Sequence, residues 1–235
     1  MDRRSFLGSC SAGAAGLTAA GGFQDAWAAT ARPKEYPRAL LVDERGEPLK
    51  ASGLKPQLNY VFHYPFEATP VFLLDLGRPV AAYSVSTQDR SAYSWPGGVG
   101  RNRSIVAFSA ICAHQLVYPT KDVSFISFRK TRAQRGVQDG LIHCCAEHSQ
   151  YDPARGAEVL SGPAKQPLCA VLLEHEPKAD TLTAHATLGG ELFDQFFRKY
   201  EMKLSLDVGP NAKNAVAGQS VVRELTRFCK NPVQC

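Results

Sequence analysis

Two short boxes of metal-binding residues constrain this chain more than any other feature. The first is Cys112-Ala113-His114, and the second, about thirty residues further along, is Cys145-Ala146-Glu147-His148. Each box offers one thiolate and one imidazole, which are ligand types that zinc and iron–sulfur centres both take. The sequence therefore predicts a metal site built from two loops, holding either one zinc ion or the two irons of a 2Fe–2S cluster.

The order of the ligand types favours the cluster. Zinc sites with two Cys and two His usually keep the two Cys together on one element and the two His together on another. Here each box carries one residue of each type. A cluster with one iron held by two Cys and the other by two His takes one ligand of each type from each loop. A zinc-stabilised structural or binding module remains the alternative.

The boxes and the segments after them resemble the Rieske iron–sulfur proteins. The resemblance extends to Ser149-Gln150-Tyr151-Asp152-Pro153 and to Ser161-Gly162-Pro163-Ala164. It implies one Rieske-type 2Fe–2S cluster per chain, with two cysteines on the inner iron and two histidines on the outer iron. The implied ligands are Cys112, Cys145, His114 and His148.

The resemblance also implies roles for three residues around the cluster. The hydroxyl groups of Ser149 and Tyr151 correspond to groups that bond cluster sulfurs in high-potential relatives, and Pro163 would hold a covering loop in place through its fixed φ.

The sequence departs from the family pattern in three ways. Val117 and Glu147 stand where quinol-oxidising relatives carry a pair of disulfide-bonded cysteines. The Ser-x-Tyr pair is one residue closer to the second histidine than usual, and the interval between the boxes is longer.

The N-terminal segment, residues 1–28, resembles a twin-arginine export signal. It contains Asp2-Arg3-Arg4-Ser5-Phe6-Leu7, a Gly/Ala-rich stretch and Ala26-Trp27-Ala28. Such signals direct proteins that fold before export, which suits a cluster inserted in the cytoplasm. We expect cleavage after Ala28 and a periplasmic protein. Retention as a membrane anchor is less favoured, because a membrane span needs about twenty mainly apolar residues and this segment has few.

An oxidising compartment changes the interpretation of the seven cysteines. Cys229 and Cys235 bracket a short segment that contains Pro232, and this spacing predicts a small disulfide. Cys144 and Cys169 either form a second bridge, which would replace the missing disulfide between the loops, or are two small buried residues.

The distribution of apolar residues predicts an all-β fold. We expect residues 29–235 to form a single Rieske-like domain, an antiparallel β-sandwich or barrel with a small inserted cluster-binding subdomain at about 106–168 and one C-terminal helix at 190–202. Residues 86–103 are predicted to be a loop, and residues 221–228 a last strand or helical turn. The predicted strands are 39–42, 60–64, 71–74, 80–85, 104–111, 123–128, 140–143, 170–173 and 181–186.

Strands 123–128 and 140–143 are predicted to form a hairpin that leads into the second box. Its turn, Arg129-Lys130-Thr131-Arg132-Ala133-Gln134-Arg135, is basic. It is either a docking site for an acidic partner or a solvated loop tip. The net charge of +5 comes without a recognisable nucleic-acid-binding module, so a nucleic-acid partner is not predicted.

These features predict a one-electron transfer protein with no catalytic residues of its own. The first interpretation is the iron–sulfur subunit of a larger periplasmic respiratory oxidoreductase that passes electrons toward a c-type cytochrome. The alternatives are the Rieske subunit of a cytochrome bc-type quinol-oxidising complex and the ferredoxin component of an oxygenase. The expected partners are therefore redox proteins, with membrane contact only if the N-terminal segment is retained.

Overall fold

Strands dominate the part of the chain that the computed structural model describes, residues 31–130 and 140–235. The predicted all-β fold is confirmed. The helices are α1 (Phe193–Asp207) and the short α2 (Leu225–Phe228). The strands are β1 (Lys34–Val42), β2 (Tyr60–His63), β3 (Pro70–Asp75), β4 (Tyr83–Ser86), β5 (Ala92–Trp95), β6 (Ile105–Ser109), β7 (Val123–Ser124), β8 (Ile126–Phe128), β9 (Ile142–Cys144), β10 (Ser149–Asp152), β11 (Glu158–Ser161), β12 (Ala170–Glu176), β13 (Thr181–Leu188), β14 (Gly218–Val221), β15 (Arg223–Glu224) and β16 (Asn231–Pro232).

The largest sheet closes into a barrel. Its eight strands follow the order β14-β1-β13-β12-β6-β3-β2-β15. Residues 218–224 pair first with β1 at one edge and then with β2 near the other edge. The Ser220 hydroxyl reinforces this closure by donating to the His63 carbonyl oxygen at 2.9 Å. Closure leaves fewer unpaired backbone groups at the sheet edges.

Strand β3 separates two cores, and this explains its continuous apolar sequence. Val71 and Leu73 point into the barrel interior, whereas Phe72 and Leu74 contribute to a second core on the outer surface of the barrel. Successive side chains of a strand point to opposite faces, so a strand buried on both faces has no polar positions. We call the second cluster the outer core.

A four-stranded sheet packs on the outer core and carries the second box. Its order is β11-β10-β9-β8, with all three pairings antiparallel. Ile126, Ile142 and Tyr151 from this sheet share the outer core with Phe72 and Phe108 from the barrel. The pairing predicted between residues 123–128 and 140–143 is present as the antiparallel pair β8 and β9. Residues 123–124 instead form β7 and pair with β16.

Several local predictions differ from the structure. Residues 80–85 do not extend the main sheet. Instead β4, which overlaps the predicted strand 80–85, pairs with β5, which lies inside the predicted loop 86–103. Val85, Tyr93 and Trp95 of this hairpin pack against the outer core. The sheets are also not wholly antiparallel, since the pairs β1–β14 and β7–β16 are parallel. Both β14 and β16 lie far along the chain from the strands with which they pair.

Helix α1 begins and ends later than predicted. The φ angles of Gly189 and Gly190 are +64° and +57°, and this left-handed backbone delays the start of the helix. Its buried face carries Phe193, Phe196, Phe197 and Leu204. None of the helices in the described ranges is long and apolar enough to cross a membrane. The predicted export signal and most of the basic turn, residues 131–135, lie outside the described residues.

Candidate metal centre

The first box lies in a tight loop directly after β6. The Cys112 amide donates to the Val117 carbonyl at 2.8 Å, and the Leu116 amide donates to the Cys112 carbonyl at 2.9 Å. Leu116 has a φ of +58°, which reverses the chain. From helix α1, Lys199 Nζ donates to the Gln115 carbonyl at 2.6 Å. The loop therefore encloses Cys112, which is 0% exposed, and leaves the His114 side chain 27% exposed.

The second box lies in the loop between β9 and β10. Cys144 pairs with Ser149 across the two strands, so residues 145–148 form the loop between them. The Cys145 amide donates to the Phe125 carbonyl at 2.6 Å, which extends the pairing toward β8. His148 is exposed at the end of the loop, with a φ of +59°.

A third loop, residues 161–164, packs against the end of the second loop. Gly162 has a φ of +89°, and a Cβ atom at this position would lie 2.5 Å from Ser149 Cα. The Ala164 amide donates to Ser149 Oγ at 3.2 Å. Pro163, the residue predicted to hold the covering loop, is exposed. In this loop, Gly162 and Ala164 therefore make the contacts with Ser149. The sequence did not reveal the importance of these two residues.

A buried pair of thiols lies between the two boxes, formed by Cys112 and Cys144. The hydrogen bond from Cys144 is the main factor that lowers the pKa of Cys112 to about 6, against the opposing effect of burial. The same hydrogen bond and burial raise the pKa of Cys144. The Tyr151 hydroxyl lies 3.3 Å from Cys112 Sγ and accepts a hydrogen bond from the Ala113 amide at 3.1 Å. Burial and the nearby Cys112 raise the pKa of Tyr151.

One nitrogen of His114 is buried without a hydrogen-bond partner. This atom is Nδ1. The carboxylate oxygen Glu147 Oε2 lies 4.0 Å from it, which is too far for a hydrogen bond. Buried polar atoms without partners are uncommon and often indicate a missing ion or water. The His114 Nδ1 atom is therefore a free donor position within the same loop as Cys112.

The structure corrects the predicted disulfide. Cys235 is bonded to Cys145, with Cα atoms 5.5 Å apart, rather than to Cys229. Among the described cysteines, Cys112, Cys144, Cys169 and Cys229 are free and buried, so Cys144 and Cys169 do not pair either. The difference arises because β16 runs parallel to β7 and carries the C-terminal segment to the second box. The predicted ligand Cys145 is therefore a half-cystine in this structure.

Arg129 lies against this disulfide. Its Nη2 donates to Cys145 Sγ at 2.8 Å and to Cys235 Sγ at 3.3 Å, and Nη1 also donates to the main-chain oxygen of Cys235. Burial lowers the pKa of Arg129. The sequence placed this arginine in a basic turn, and no local pattern distinguishes it from its basic neighbours.

The donor types at this site suit a 2Fe–2S group held by two loops. The thiols of Cys112 and Cys144 lie together, His114 Nδ1 is buried and unpaired, and His148 is on the second loop. Within residues 31–130 and 140–235, no three His, Cys, Asp or Glu side chains already converge in a closed metal-binding group. The structure thus brings the two sulfur donors together, while the two imidazoles remain on their separate loops.

The chain has structural similarity to a known protein. No protein-family model matches the chain. Among solved structures, the chain is similar to the soluble domain of Rieske protein II from Sulfolobus acidocaldarius. The identity is 25%, the match covers 65% of this chain and 78% of that one, and the TM-score is 0.48.

Proposed function

We propose that this protein binds a Rieske-type 2Fe–2S cluster and transfers single electrons. The observation that carries the proposal is the meeting of two buried thiols from two loops, Cys112 and Cys144, beside a histidine whose Nδ1 has no partner. Soft sulfur donors and imidazoles in this combination are the ligands of such a cluster.

The residues that would hold the cluster are one cysteine from each loop together with His114 and His148. When bound, a histidine-ligated cluster supplies a one-electron acceptor of higher potential than an all-cysteine one. The chain excludes water from the sulfur side, because Cys112, Cys144 and Tyr151 are fully buried. The Tyr151 hydroxyl is positioned to donate to Cys112 Sγ, which would reduce the negative charge on this sulfur.

With a cluster bound, the two histidines would provide the route for electrons to a partner. His148 is exposed and His114 is partly exposed, so a redox protein could reach both residues.

The cellular role we propose is that of a periplasmic iron–sulfur subunit in a larger respiratory oxidoreductase, with a c-type cytochrome as electron acceptor. The similarity of residues 1–28 to a twin-arginine signal supports export. A Rieske subunit of a cytochrome bc-type quinol-oxidising complex and a ferredoxin component of an oxygenase are the alternatives. Purification from the periplasm with identification of co-purifying subunits distinguishes these three roles.

Metal analysis tests the central proposal. The freshly isolated full chain should contain about two irons and two acid-labile sulfides, and reduction should produce a rhombic EPR signal. A colourless protein with about one zinc per chain would instead establish the zinc module. Replacement of Arg3 and Arg4 by Lys tests export, because it should shift the protein from the periplasmic to the cytoplasmic fraction without changing the iron content of the folded chain.

A further inference from the structure

We propose that the sulfur ligand from the second loop is Cys144, and that Cys145 instead forms a disulfide that fastens the C-terminal segment to this loop. The inference deepens the proposed function and rests on it, since it assumes that a cluster is bound. It changes the spacing of the second box from Cys-x-x-His to Cys-x-x-x-His.

Strand geometry allows only one of the two adjacent cysteines to face Cys112. Cys144 is the last residue of β9, and Cys145 continues the pairing toward β8 through its amide. Successive side chains of an extended chain point to opposite faces. The side chain of Cys144 points into the outer core, where it meets Cys112. The side chain of Cys145 points away, toward the C-terminal segment.

The register of β9 and β10 supports the same choice. Cys144 is opposite Ser149, and Ile142 is opposite Tyr151. These four residues share one face of the small sheet, and all four are buried. The Tyr151 hydroxyl, which lies 3.3 Å from Cys112 Sγ, therefore belongs to the same face as Cys144. His143 and Gln150, which are paired on the opposite face, are only partly buried.

The C-terminal segment, residues 230–235, lies next to Cys145. Backbone hydrogen bonds align this segment with residues 121–124: Lys230 donates to Lys121 at 2.9 Å, Asn231 to Asp122 at 3.1 Å and Val233 to Ser124 at 2.8 Å. This ladder brings Cys235 to Cys145, with Arg129 donating to both sulfurs. The segment is therefore held by several independent contacts, and the disulfide completes them.

The bond also explains how the second loop is held. In quinol-oxidising Rieske proteins a disulfide joins the two ligand loops. This chain has Val117 and Glu147 at the two corresponding positions and so lacks that disulfide. The Cys145–Cys235 bond spans 90 residues and ties the second loop to the C-terminal segment. Closing a long loop of this kind restricts the unfolded chain and so favours the folded state.

Cysteine-to-serine variants of the full chain test the assignment. The variants are Cys144→Ser, Cys145→Ser and Cys235→Ser, with Cys169→Ser as a buried control outside the site. The measurements are iron and sulfide per chain, the EPR spectrum after reduction, and peptide mapping after alkylation without reduction.

We expect Cys144→Ser to lower the iron content at least about tenfold. Cys145→Ser and Cys235→Ser should retain the iron and the EPR spectrum of the unmodified chain, and each should expose one additional alkylatable thiol. Peptide mapping of the unmodified chain should recover Cys145 and Cys235 as one linked pair. Because Cys144→Ser could fail to fold, the retention of the cluster in Cys145→Ser is the decisive measurement.

Loss of the cluster in Cys145→Ser would overturn the assignment, as would retention of the cluster in Cys144→Ser. Recovery of Cys145 as a free thiol in the unmodified chain would do the same. These results leave the proposed electron transfer intact, because the unmodified chain still carries iron and sulfide. Absence of iron and sulfide from the unmodified chain would instead contradict the proposed function, while the linked peptide would still establish the role of Cys145.

Discussion

The Tyr151 hydroxyl lies 3.3 Å from Cys112 Sγ, and both side chains are completely buried. The residues are 39 positions apart in the chain. Cys112 lies in the loop after β6, whereas Tyr151 lies in β10. Tyr151 also accepts a hydrogen bond from the Ala113 amide, which fixes the orientation of its hydroxyl group. The contact therefore joins the two loops of the site at the sulfur of one predicted ligand.

Replacement of Tyr151 by Phe should lower the reduction potential while the cluster is retained. The variant removes one hydrogen bond to a charged sulfur, which contributes about 1.5 kcal/mol. For a one-electron couple this corresponds to a shift of about 60 mV. Protein-film voltammetry measures it. Tyr83→Phe is the control, because the Tyr83 hydroxyl bonds Glu158 away from the sulfurs. An unchanged potential in Tyr151→Phe would contradict the role assigned to this hydroxyl.

Replacement of Gly162 by Ala should destabilise the protein and loosen the second loop. Its φ of +89° is unfavourable for alanine, and the added Cβ would lie 2.5 Å from Ser149 Cα. We expect a loss of about 3 kcal/mol in the free energy of unfolding, measured with urea. Gly209→Ala is a matched control, because Gly209 has a φ of +81° but no atom within 4 Å of the new Cβ.

The control should cost only about 1 kcal/mol, which is the backbone contribution alone. Equal losses in the two glycine variants would show that the contact between the third loop and Ser149 has no importance for stability.

Replacement of Ser149 by Ala should reduce stability more than it changes the reduction potential. The structure shows Ser149 Oγ accepting a hydrogen bond from the Ala164 amide. Ser149 is fully buried, so its loss leaves this amide without a partner at a cost of about 1–3 kcal/mol. Urea unfolding and voltammetry on the same samples separate the two effects. Ser161→Ala is an exposed control. A large change in potential at unchanged stability would contradict this assignment.

Acidification should destabilise the fold through His63. Burial, with a contribution from the charge of Arg223, lowers the pKa of His63 to about 4. The unfolded chain has the ordinary value of about 6.5 and so binds the proton more tightly. The contribution of His63 to stability is therefore complete above pH 6.5 and is lost as the pH falls to about 4.

This loss amounts to at most about 3 kcal/mol. It is measured as the difference between the unmodified chain and His63→Gln in urea unfolding at several pH values. The difference should change between pH 6.5 and 4 and stay constant above that range. A difference that is independent of pH would contradict the shifted pKa.

Local sequence patterns predicted much of the barrel. The run from Val71 to Leu74 is apolar at every position because β3 faces a core on each side. The strand before the second box was found for a similar reason, since its apolar residues run together. Strands β10 and β11, which follow the second box, were not predicted. Strand β5 and its pairing with β4 were missed because its apolar residues, Tyr93 and Trp95, pack on a surface that only the folded chain creates.

The sequence by itself determined the all-β class and indicated the types of candidate metal donor and the two loops that carry them, because these depend on residue identity and short-range periodicity. Only the tertiary structure decided which of Cys144 and Cys145 faces Cys112, and which cysteine bonds Cys235. Alternation along a strand requires two neighbouring side chains to point in opposite directions, but it does not say which of them points to the core. That choice, like the pairing of residues 90 positions apart, depends on how distant strands come together.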